Sequence, residues 1–150
     1  MTKIKLWPLA LLALVGVLGC NRANIAAGDL AGTWVMKQGS REVLPSPLKN
    51  ASPRILLQKD GTFIASEMPG LLYGDQRGAN LDAGTGTWKL VSREGRQEIQ
   101  VNFYSITAGS TQLPVPYGTQ IMVSKPWSTV NMEYYIGDQD QGVRIELEKK

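Results

Sequence analysis

Three stretches of this 150-residue chain alternate apolar and polar residues one by one. Ile99, Val101 and Phe103 alternate with Glu98, Gln100 and Asn102. Val130, Met132, Tyr134 and Ile136 alternate with Asn131, Glu133 and Tyr135, and Val143, Ile145 and Leu147 with Arg144, Glu146 and Glu148. A side-chain period of two gives a strand one buried and one wet face, the pattern of antiparallel sheet. From residue 29 onward no segment sustains a helical period over several turns. Shorter runs at 33–38, 54–58, 62–67, 86–91 and 119–124 predict five further strands.

The punctuation agrees. Asp60-Gly61 stands between two of these runs and predicts a tight hairpin, because both residues tolerate positive φ. Residues 137–141 predict the turn joining the last two strands. The segment 44–53 holds three prolines, which excludes regular helix and central strand. Residues 68–84 are glycine-rich and polar and read as a long surface loop. The expectation is therefore all-β: a single antiparallel domain of about eight strands, a meander closing into a small barrel, with a β-sandwich as the alternative.

Composition removes several functions. The chain has no histidine and one cysteine, Cys20. It therefore has no Ser-His-Asp triad, no Cys-His pair and no histidine metal ligand. The expectation is a protein that is not an enzyme and holds no cofactor and no metal. An internal disulfide is impossible. Beyond residue 19 there are 14 basic residues against 13 acidic, with no basic cluster, so nucleic-acid binding has no electrostatic basis.

The first twenty residues are a unit of their own. Lys3 and Lys5 precede the uncharged run 6–19, and Val17-Leu18-Gly19-Cys20 closes it. A basic start, a short apolar segment and small residues at a cut make a secretory signal peptide. The run is shorter than the ~20 residues that span a bilayer. A plain secretory signal would need small residues before a later cut, and residues 21–27 offer no clean pair. A lone thiol in an oxidising compartment is also a hazard for mispairing. With its cysteine at the cut, the segment resembles a bacterial lipoprotein signal with its lipobox. The resemblance implies cleavage between Gly19 and Cys20, lipid attachment at Cys20, and an address in the cell envelope. Asn21 is not the aspartate that retains enteric lipoproteins in the inner membrane, which implies the outer membrane, facing the periplasm. The organisation expected is a signal at 1–19, a lipidated cysteine and tether at 20–28, and the barrel domain at 29–150.

Gly32-Thr33-Trp34 opens the first strand, and such a Gly-x-Trp resembles the start of lipocalins and related calycin barrels. In that family the tryptophan packs across the barrel base. The same string recurs as Gly86-Thr87-Trp88 and reads as one strand-entry device used twice. Trp34 and Trp88 are candidates for the barrel interior or a ligand lining. The Arg-x-Tyr of fatty-acid-binding relatives is absent: Arg144 is followed by Ile145 and Glu146, and alternation turns Arg144 outward.

Other constellations read as scaffold. Asp138 to Gly142 lacks the ligand, glycine and glutamate positions of an EF-hand, so it reads as a hairpin turn. Ser46-Pro47-Leu48-Lys49 spells Ser-x-x-Lys, but prolines at 45 and 47, the absence of Lys-Thr-Gly and the small size argue against the chemistry of that motif. Glu146 and Glu148 share a face that alternates with core residues, and Glu133 is expected to join it. Tyr117, Trp127 and Tyr135 fall in loops or on an outward face and are candidates for partner contact. The function expected is a lipid-anchored binding or accessory module with an envelope protein as partner, an inhibitor or immunity protein being one form. The alternative is a carrier of a small hydrophobic ligand.

Overall fold

The computed structural model describes residues 24–44, 46–69, 81–108, 110–136, 140 and 143–150. Among the described residues nine strands follow one short helix, α1 (Ala27–Leu30). They are β1 (Gly32–Met36), β2 (Arg54–Leu57), β3 (Thr62–Pro69), β4 (Leu81–Arg93), β5 (Arg96–Ala108), β6 (Thr111–Gln112), β7 (Tyr117–Ser124), β8 (Asn131–Ile136) and β9 (Val143–Lys149). From β2 on, each strand pairs antiparallel with its predecessor except β7, which skips β6 and pairs with β5, and β9 returns to β1 through Val35↔Glu148. β5 pairs with both β4 and β7, so eight strands form a closed up-and-down barrel. The two-residue β6 adds to β5 beside this ring through Thr107↔Gln112 and Ala108↔Thr111. Since every ring strand has two partners, the sandwich alternative is set aside. Closure leaves no free edge in the ring.

The alternating runs supply the core. Trp34, Ile55, Phe63, Val101, Phe103, Ile121, Met132, Ile145 and Leu147 point inward and are at most 1% exposed. Phe63 and Phe103 meet edge to face, with ring centroids 4.9 Å apart. An inward aromatic or aliphatic side chain of this size contributes roughly 1.5–3 kcal/mol on burial. Glu133 on β8 and Arg144, Glu146 and Glu148 on β9 stand in the outer rows. That polarity is the reverse of a barrel whose outer wall faces lipid.

Several local features depart from the sequence expectations. In the β2–β3 hairpin only Gly61 takes positive φ, at 84°. Asp60 instead accepts hydrogen bonds from the Thr62 amide (2.9 Å) and hydroxyl (2.6 Å). In the β4–β5 turn both central residues, Glu94 (φ 49°) and Gly95 (φ 74°), are left-handed. β3 runs to Pro69 and β4 begins at Leu81, so residues 68–69 and 81–84 are strand rather than loop. The centre of that expected loop and most of the 137–141 turn lie outside the described residues. Ser46 opens a three-residue 3-10 turn.

Gly86 lies inside β4 rather than at a strand entry. A bulge there sets Gly86 opposite Phe103 and Thr85 opposite Ser105, leaving Tyr104 as the extra residue. A Cβ on Gly86 would collide with the Asn102 carbonyl oxygen. Gly32 serves a different need: its φ of 139° suits glycine, and a Cβ would come within 2.6 Å of Lys149 Cε. The two Gly-Thr-Trp strings therefore share a spelling, not a role.

The ordered body starts before residue 29. Ile25 is buried in the core, and the Gln97 side chain accepts from its amide (2.9 Å) and donates to its carbonyl (3.0 Å). Gln97 thus satisfies the backbone there as a neighbouring strand would. Leu30 is fully buried, and the Trp34 indole N–H donates to its carbonyl at 2.7 Å. The segment closes one end of the barrel.

Candidate functional site

The ring has two ends. The entry end carries residues 24–31, the 58–61 and Glu94-Gly95 turns, the 125–130 loop and Lys150, whose amide donates to the Thr33 carbonyl at 2.9 Å. The far end carries the long connection 37–53 and the segment 113–116, with its cis Val115-Pro116 bond.

The barrel interior is occupied by its own side chains. Trp34 and Trp88 both stand at the entry end, 0% and 7% exposed. Each indole is satisfied by a backbone carbonyl, Leu30 for Trp34 and Gln58 for Trp88 (2.9 Å). Both rings pack into the one core cluster of the barrel. Higher up, the Tyr134 hydroxyl is buried without a hydrogen bond among the described residues. Burial first, and the charge of buried Asp82 second, raise its pKa well above the usual tyrosine value.

Outside the ring, a groove of about 840 Å³ runs between the N-terminal segment and the outer faces of β5, β7 and β8. Ile25, Arg96, Met122, Pro126, Glu133 and Tyr135 contribute to its walls. Its floor belongs to an outward row in which Glu98, Met122, Glu133 and Glu146 are successive register partners. The three carboxylates each face a cation. Arg93 lies 3.6 Å from Glu98, Arg144 lies 3.7 Å from Glu133 and 2.9 Å from Glu146, and Lys37 lies 3.1 Å from Glu146. Glu148 is exposed beyond them. Among the described residues no group of three acidic side chains converges as a metal site would require.

The three aromatic candidates for partner contact do not form one surface. Tyr117 opposes Phe103 in the β5–β7 register, and their ring centroids lie 6.3 Å apart, so it packs on the core. Tyr135 opposes Arg144 on the outer wall and lines the groove. Trp127 is 96% exposed at the entry end, with φ at 63°. Gly19 and Cys20 lie outside the described residues.

A second surface escaped the sequence reading. Ile64 is 47% exposed and Tyr104 is 65% exposed. Leu56, Ile64 and Thr85 are register partners across β2, β3 and β4, and the β4–β5 bulge sets Tyr104 beside Thr85. Leu56, Ile64 and Tyr104, with Thr85 among them, thus form a strip across four strands of the outer wall. Alternation carried half of this signal: Ile64 sits between the inward Phe63 and Ala65, so its side chain had to point out. The bulge that turns both Tyr104 and Ser105 outward has no such signature.

Among the described residues no helix is long and apolar enough to cross a membrane. No protein-family model, no curated protein and no solved structure matches this chain.

Proposed function

We propose that this protein is a lipid-anchored binding module of the bacterial envelope, tethered to the outer membrane through Cys20 and facing the periplasm. One observation carries the reading: the barrel is packed with its own side chains, while large apolar groups stand exposed on its outer wall. A carrier needs space inside, and here the inward rows of all eight ring strands meet in one core. Recognition is left to the outside, where a rigid closed sheet offers a pre-formed surface at low ordering cost. The Leu56–Ile64–Tyr104 strip suits a protein partner, since an exposed tyrosine in an apolar setting is a common anchor. An inhibitor or immunity protein that covers an envelope enzyme is one form of this activity.

Two measurements test it. Radiolabelled palmitate should enter the wild-type chain and not C20S; equal labelling of both removes the anchor. A photoreactive residue at position 64 or 104 should trap one protein of defined mass in intact envelopes. The same residue at position 89, a polar site further along β4, serves as the background. Trapping no greater at 64 and 104 than at 89 would overturn the strip as the recognition surface.

A further inference from the structure

We propose that the 125–129 loop is a membrane foot, with the Trp127 indole seated among phospholipid headgroups. This rests on the anchoring through Cys20. Trp127 projects almost wholly into solvent from a left-handed backbone position that non-glycine residues seldom take. Three observations make the bilayer its occupant.

The loop stands beside the point where the chain enters the domain. Lys125 Nζ lies 3.5 Å from Asp29 Oδ2, and Lys125 and Pro126 share the outer groove with Asn24 and Ile25. Cys20 is only four residues ahead of Asn24, so its lipid can lie at most ~14 Å away along the chain. Ile25 is pinned by Gln97, which prevents a longer reach. A bilayer holding that lipid must therefore lie close to the entry end.

The same end offers cations. Arg96, Lys149 and Lys150 are exposed there, beside Lys125. Basic groups next to a membrane attract anionic headgroups over about a Debye length. Tryptophan is the side chain most at home at that depth, with an apolar ring and one N–H for the wet side. A single lipid attachment leaves a domain free to swivel; a second contact at Trp127 fixes which face looks at the bilayer. The strip on β2–β5 is then held at a constant angle to the membrane.

Fluorescence separates the foot from the anchor. Past the signal peptide the chain has three tryptophans, and Trp34 and Trp88 are buried. The lipidated protein is reconstituted into vesicles with and without brominated acyl chains, as wild type and as W127F. Bromine should quench the wild type and leave W127F almost unchanged, while the remaining emission of Trp34 and Trp88 reports an intact barrel. Equal quenching of both proteins, in a sample that floats with the vesicles, overturns the foot and leaves the anchor standing. Crosslinking of position 127 to a protein in envelopes, with no quenching, overturns it in favour of a protein partner. A C20S chain exported by a plain secretory signal covers failure of the anchor. Titrated with anionic vesicles, its Trp127 emission should shift to the blue and return with added salt. Where wild-type Cys20 takes no lipid, the absence of that shift overturns the foot.

Discussion

Single side chains in the barrel interior set distinct costs. The Tyr134 hydroxyl is buried and unbonded among the described residues, and an unsatisfied buried donor costs ~1–3 kcal/mol. Y134F should therefore raise the melting temperature by about 2–8 °C, read by calorimetry. The same group makes the fold sensitive to alkali. Its pKa is raised above the ordinary 10.0 by burial and by Asp82, so the unfolded chain loses this proton first. Its contribution is complete below pH 10 and declines as pH rises beyond that toward the folded value; Y134F should flatten that decline in an unfolding series. Gly86 is the opposite case, a position with no room. G86A should destabilise by ~1–3 kcal/mol or more, because backbone on β5 rather than a pliable side chain stands in the way. Neither effect is legible from residue type: an inward tyrosine and a mid-strand glycine look ordinary until the facing strand is in place.

At the scale of elements, the ring strands follow from alternation and turn chemistry, since inward and outward positions repeat every two residues and short hairpins force sequential pairing. The N-terminal plug did not follow, because Ile25 and α1 are too short to show any period. Their place is fixed by Gln97, 72 residues away, and by the Leu30–Trp34 hydrogen bond. Asp29 adds an electrostatic clasp. The Ala26 backbone N–H first and the Lys125 ammonium second hold its carboxyl below the usual 3.8. A lowered folded pKa gives stabilisation present above the unfolded value and lost as pH falls through the folded one. Below pH 3.8 the 24–30 segment should loosen before the ring does. Hydrogen exchange should show this in the wild type, and D29N should show it already at neutral pH.

For the whole molecule, the recognition surface proposed above lies on the outer wall, apart from the filled interior that carries stability. Substituting Ile64 and Tyr104 by serine should change stability by no more than ~0.5 kcal/mol per site, as at ordinary exposed positions. The same pair should abolish trapping of the partner at a reporter placed on position 56, which separates recognition from folding. The aromatic candidates Tyr117, Trp127 and Tyr135 were legible as residues and not as a site. A meander fixes which strands are neighbours, but the bulges and loop paths decide which rings stay in water. The order of residues along the chain thus determined an antiparallel meander, its inward rows and the absence of histidine chemistry, all of which depend on local period and composition. The meander already pointed to a barrel ahead of a sandwich; tertiary structure settled that choice by ring closure, and it alone decided the plug at the entry end and the gathering of Leu56, Ile64 and Tyr104. Each of these joins positions far apart in sequence, and only the facing strand's backbone says whether they meet.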